Sequence, residues 1–190
     1  GRPAIATSRE AVQAALEVHP EPEDSAAYRR ATEALAALPR GEVADLVVRT
    51  MARLCTVEPP SASGTAQLAT SRALLVVAVQ DVTVRDFLLG SIAADSQDAG
   101  AAAEAVTQAT LCAPERLRAA MAATAMAVLA LDGQSSVALW RMHELAEGQS
   151  LATLVAAAVE AGFPPHEVRE LFASTLADVR GQLDDLDPSR

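Results

Sequence analysis

Apolar residues recur along much of this chain at intervals of three and four, the spacing of a helix with one buried face. The pattern is most regular between Pro114 and Pro188, where it predicts four consecutive helices: Glu115 to Leu131, Ser136 to Glu147, Ser150 to Ala161, and one running from Phe163-Pro164-Pro165 to about Leu186. Pro114 opens the first, and Gly133, Gly148 and Gly162 stand just past the ends of the first three. Proline has no N–H to lose in a first turn, and glycine accepts the left-handed conformation that closes a last one. Leu117, Met121, Thr124 and Val128 line one side of the first helix and alanines most of the other, so it is expected to be covered all round. Val137, Ala138, Trp140, Met142 and Leu145 mark the core side of the second helix, and Leu151, Leu154, Val155 and Val159 that of the third. Val168, Leu171, Phe172, Leu176 and Val179 do so for the fourth. Connections of two to four residues make neighbours antiparallel, which predicts stacked helical hairpins.

Upstream the periodicity continues with more interruptions. Thr7-Ser8-Arg9-Glu10 has the form in which a side chain and the backbone cap one another, and it opens a helix ending near His19-Pro20. Glu21-Pro22-Glu23-Asp24 reads as an acidic linker, and Ser25 as the cap of a helix from Ala26 to Leu38. Pro39-Arg40-Gly41 breaks the pattern before Val43, Leu46, Val47, Met51 and Leu54 give a third helix, and Thr56 to Gly64 reads as a surface loop. The apolar run Ala73 to Val79 suits a buried strand or a buried helix; its length and the want of a partner strand favour a helix from Ala66 to Gln80. Thr83-Val84-Arg85-Asp86 is a second capping box, with Arg85-Asp86 as a helix-start ion pair, and an Ala-rich helix follows from Ser96 to Leu111. The expectation is one all-α domain of about eight helices over residues 1–190.

Composition sharpens this picture. Half the residues are apolar and 3% aromatic, so alanine, leucine and valine must fill the core through closely approaching helices. The opening Gly1-Arg2-Pro3-Ala4-Ile5 lacks a methionine and reads as the start of a piece cut from a longer protein. A net charge of -10, with arginine supplying every basic side chain, repels phosphate backbones and anionic lipid surfaces, which counts against nucleic acid and membrane partners. The longest uncharged run, Ala119 to Leu131, is too short to span a bilayer, and no signal peptide is visible, so a soluble cytoplasmic protein is expected. Cys55 and Cys112 lie far apart in apolar helix and read as two thiols in a reducing compartment, with a single disulfide as the alternative.

Candidate chemistry is sparse. His143-Glu144 with Glu147, and His166-Glu167 with Glu170, both spell H-E-x-x-E; a His and a Glu four apart share a helix face and are of a type that holds metals. Paired carboxylate-bridged sites use Glu followed by His at three, so surface helix pairs are the simpler reading. Ser135-Ser136 reads as a helix cap, no nucleophile motif or phosphate loop appears, and the nine glycines read as scattered helix stops. No cofactor, metal or catalytic residue is therefore expected. The most pointed feature is Trp140-Arg141: a lone tryptophan beside an arginine, between two helices of a hairpin stack, is a candidate anchor for a partner peptide, with a place in the core as the competing reading.

Two resemblances add to this. Ala125 to Ala161 resembles a tetratricopeptide unit in outline, with one helix ending Leu131-Asp132-Gly133, a second carrying Ala138 at its crossing and a third after an acidic turn, but without the repeat's signature aromatics and proline. Over most of the chain, a Gly-Arg-Pro opening, Ser8-Arg9-Glu10, Val84-Arg85-Asp86, Leu131-Asp132-Gly133 with Ala138, Ser150-Leu151-Ala152 and Gly162-Phe163-Pro164-Pro165 follow one another as in the actinobacterial family known as domain of unknown function 4192. Members of that family also carry an N-terminal half with Gly-Tyr-x-Pro and Ser-Leu-Val type motifs, absent here, so the chain resembles the helical C-terminal half. The expected function is that of a non-catalytic protein-interaction or regulatory module, binding the missing half, another protein or a second copy of itself. The alternative is an accessory domain of an enzyme whose active site lies in the missing half.

Overall fold

The computed structural model describes residues 14–23, 25–56, 62–95, 99–134 and 136–185, with the side chains of 62–65 and 136 excepted. After a helical turn at Ala14-Ala15 come nine helices among the described residues, with no strand. They are α1 (Ala26–Ala36), α2 (Arg40–Thr56), α3 (Ala62–Ala78), α4 (Val82–Ala94), α5 (Ala99–Cys112), α6 (Glu115–Asp132), α7 (Ser136–Leu145), α8 (Ser150–Glu160) and α9 (Pro165–Asp185). The apolar run in α3 is helical, with Ala73, Leu75, Val76 and Val79 at the centre of the core.

The organising element is α6. Every residue from Met121 to Leu131 is buried, as the alanine-rich sequence predicts for a helix packed on all sides. Small side chains let neighbouring axes approach, and Met121, Met126 and Met142, flexible enough to fill irregular gaps, close the space that aromatic rings fill in other cores. The buried Thr124 and Thr110 hydroxyls donate to the Ala120 and Val106 carbonyls one turn back, so neither is left unpaired. Helices α5, α7, α8 and α9 all lean on α6, and the buried apolar side chains form one continuous cluster from Leu16 to Leu183.

Hairpin packing holds for α5 with α6 and α6 with α7, but the most extensive contact in the molecule is between α9 and α4, far apart in sequence. Gly90 of α4 makes it possible: a Cβ there would lie 3.2 Å from the Phe172 carbonyl oxygen and 3.1 Å from Leu176 Cδ1. Arg180 fastens the same contact, its Nη1 donating to Asp45 Oδ1 of α2 at 2.6 Å while its guanidinium lies 5.4 Å from the Phe87 ring centroid.

Several expectations are corrected. Gly133, Gly148 and Gly162 are stops with positive φ, whereas Gly41, Gly64, Gly90, Gly100 and Gly181 lie inside helices. The loop expected from Thr56 to Gly64 is shortened by α3, which begins at Ala62. The cap of α4 is Asp81, not Thr83: its carboxylate accepts from the Thr83 and Val84 N–H groups at 2.9 and 3.4 Å and also pairs with Arg40. Asp86 is held instead by Arg85, as the expected ion pair, with Nε and Nη2 at 2.9 and 2.8 Å from one oxygen. Ser25 occupies the N-cap position of α1, but its hydroxyl makes no capping bond. The linker before it is a strap across the end of α5: His19 and Glu21 donate backbone N–H groups to the Leu111 and Cys112 carbonyls, both at 2.9 Å. Pro20 and Pro22, which have no N–H, take the intervening positions, and Glu23 binds Arg116. The Ser8 capping box lies outside the described residues.

Candidate docking surface

Each of the last three helices places one face on the core and leaves large apolar side chains on the other. In α7, Leu139 and Met142 point inward, as does Ala146 just past its end, and Trp140, expected among the core positions, is 37% exposed. One tryptophan edge rests on His143, with ring centroids 5.3 Å apart and planes at 84°. Arg141 donates to Glu144 at 2.8 Å. Trp140 is thus placed where a partner could reach it, and Arg141 where it is already engaged.

In α8 the inward side is Leu151, Ala152, Val155 and Ala156, which leaves Leu154 68% exposed. The helix ends in a Schellman turn, with Gly162 at φ 77°, its N–H donating to Val159 and the Phe163 N–H to Ala158. That turn normally pairs the residue after glycine with an apolar side chain three positions before the cap. Here that position is Ala158, too small to cover a ring, and Phe163 stays 53% exposed. In α9, Val168, Val179 and Leu183 are buried with Phe172 and Leu176 against them, and Leu171 on the flank is 65% exposed.

The corner that carries these helices is tightly determined. Gly133, at φ 66°, closes α6 by a second Schellman turn, and a Cβ there would lie 3.2 Å from Pro165 Cγ at the start of α9. Asp132 would be ill placed as the last residue of its own helix, facing its own carbonyls. Its carboxylate instead lies over Gly100 in the first turn of α5, where the helix dipole favours it, and accepts from Gln134 Nε2 at 2.6 Å. Arg169 reaches back from α9 to the Leu131 carbonyl at 3.2 Å. Leu131-Asp132-Gly133 is therefore a structural joint that fixes where α7 and α9 begin.

The second H-E-x-x-E segment lies on α9, whereas the first runs off the end of α7, which stops at Leu145 and leaves Glu147 in the following turn; among the described residues no three His, Cys, Asp or Glu side chains are grouped to hold a metal ion. Cys55 and Cys112 are half-buried thiols, not a disulfide; burial pushes the Cys112 thiol up from its ordinary range, with nearby Arg72 opposing and Glu21 adding to it. The Tyr28 hydroxyl is pushed up likewise, by burial first and by Glu21 second. Two shallow grooves flank the Glu23–Arg116 pair. One, of about 640 Å³, runs between the Pro20–Glu23 strap and Pro114–Arg116; the other, of about 370 Å³, lies over Tyr28, Val77 and Leu117. Both are open to solvent. No described helix is long and apolar enough to cross a membrane.

Leu154, Phe163 and Leu171 are the residues that sequence reading did not single out. α8 is apolar on more sides than one contact needs, and α9 carries Leu171 beside its core stripe, so periodicity alone assigns both leucines inward. The signal available was this excess of apolar width over one helix face. The chain matches no family model, no curated protein and no solved structure with which it was compared.

Proposed function

We propose that this chain is a non-catalytic protein-interaction module whose docking surface is the outward side of α7, α8 and the start of α9. The observation that carries this reading is the exposure of Trp140, Leu154 and Leu171 on helices whose opposite faces are already filled, and of Phe163 in the turn between α8 and α9. Each such side chain in water forgoes roughly 1.5–3 kcal/mol of burial, and several in one part of a molecule mark an interaction site more often than chance exposure. The corner that carries it is closed by the Gly133 turn and by the Arg169 hydrogen bond to Leu131, which suits a surface meant to hold its shape before the partner arrives. The order of short motifs resembles that of domain of unknown function 4192, and in a protein built that way the second half would be one occupant of this surface.

Affinity capture from the native host, with the full-length protein and with a Leu154→Ser/Phe163→Ser/Leu171→Ser variant as parallel baits, tests it. The reading predicts a protein recovered in stoichiometric amount by the first bait and lost by the second. Identical recoveries, or turnover of a substrate by the purified chain alone, would contradict it.

A further inference from the structure

We propose that the partner of this surface is a basic amphipathic helix. The inference rests on the docking surface proposed above and adds the chemistry of what fits it. Between Ser136 and Leu171 the chain carries five glutamates against two arginines. Arg141 is paired with Glu144, and Arg169 is turned inward, its Nη2 donating to the Leu131 carbonyl and its Nη1 buried. Glu147, Glu160, Glu167 and Glu170 are exposed and enter no ion pair among the described residues.

Helix geometry interleaves these charges with the apolar anchors. Trp140 and Glu144 are one turn apart on the outer side of α7, and Glu147 stands exposed in the turn that follows the helix. On α8, Leu154 leads through Ala157 to Glu160 and Ala161, all exposed. On α9, Glu167 and Leu171 are one turn apart, with Glu170 beside them. α7 and α8 touch each other and both lean on α6, and Pro165 at the head of α9 abuts the turn leading into α7. Apolar anchors set among unpaired carboxylates complement a helix with one apolar stripe flanked by lysine or arginine, in the helix-in-groove mode of recognition. Other occupants meet opposing charge: an isologous pairing of two copies sets glutamate against glutamate, and an anionic lipid surface is repelled as well.

The test titrates the intact chain with three designed 18-residue helical peptides sharing a leucine stripe and carrying lysine, glutamate or serine on the polar side, followed by the fluorescence of Trp140, the only tryptophan. The lysine peptide is expected to bind at least tenfold more tightly than the other two, and to weaken as salt rises through the range that screens exposed charge. Leu154→Ser/Leu171→Ser, which keeps every charge, should lose tenfold or more, and so should Glu147→Gln/Glu160→Gln/Glu167→Gln/Glu170→Gln, which keeps every apolar anchor. Circular dichroism of both variants, unchanged because all the altered side chains are exposed, separates lost binding from lost folding. If the serine or glutamate peptide binds as well as the lysine peptide and loses affinity in the leucine variant, the basic partner is wrong and the docking surface stands. If the lysine peptide binds both variants as it binds the parent, the surface itself is wrong. A dimer abolished by Leu154→Ser/Leu171→Ser, seen by light scattering, would also overturn the basic helix, in favour of a second copy.

Discussion

Gly90 and Gly181 read alike in sequence, each a glycine within a run of helix formers, and the structure gives them opposite roles. Replacing either by alanine removes backbone freedom from the unfolded chain, worth up to about 1 kcal/mol in a helix interior. At Gly181 nothing lies within 4 Å of the added methyl group, so Gly181→Ala should raise stability by roughly that amount. At Gly90 the methyl group meets the Phe172 carbonyl oxygen at 3.2 Å, a backbone atom that cannot turn aside. Overpacking of that kind costs about 1–3 kcal/mol, which outweighs the propensity gain, so Gly90→Ala should destabilise. Urea unfolding of the two variants beside the parent checks both signs. Nothing local in the sequence separates these glycines, because what differs is the helix packed across from them. Tyr28 and Cys112 give a prediction in pH. Both have folded-state pKa values raised by burial, so their contribution is whole below the unfolded values of 10.0 and 9.0 and is lost as pH climbs above them. The urea midpoint should therefore fall between pH 8 and pH 11, and fall less in Tyr28→Phe.

At the scale of elements, the boundaries that punctuation sets were legible and the partners were not. Pro114, Gly133, Gly162 and Pro165 mark ends of α6, α8 and α9 to within two residues, because each acts through its own backbone, whereas α7 stops at Leu145, three residues before Gly148. The start of α4 shows where local rules compete. Thr83 and Asp86 have capping-box spacing, yet Asp81 stands two residues earlier with a stronger acceptor, and Arg85 draws Asp86 away. Asp81→Ala should cost about 1 kcal/mol through the lost cap, with a little more from the pair to Arg40. Thr83→Ala should change stability by less than about 0.5 kcal/mol, and thermal unfolding of the pair distinguishes the two caps. The strap before α1 was hidden for a related reason: alternating prolines look like a linker, and only the carbonyls without intrahelical partners at the end of α5 turn their missing N–H groups into a register. Likewise periodicity gives α9 a face but does not say that α4, about eighty residues away, receives it.

For the molecule as a whole, the all-helical class followed from composition and period, since alanine and leucine in excess and few aromatic residues leave close helix packing as the way to bury the chain. The candidate site was legible only at Trp140. Periodicity assigns Leu154 and Leu171 to the core because their helices offer more apolar surface than the fold consumes. That surplus is the central claim of the functional reading, and denaturant unfolding of Leu154→Ser/Phe163→Ser/Leu171→Ser measures it most directly. If the three side chains serve docking, the unfolding free energy changes by no more than about 0.5 kcal/mol per substitution, as surface substitutions do. A loss of several kcal/mol, of the order of 2–5 for each large side chain removed from a core, would make them part of the packing and contradict the account.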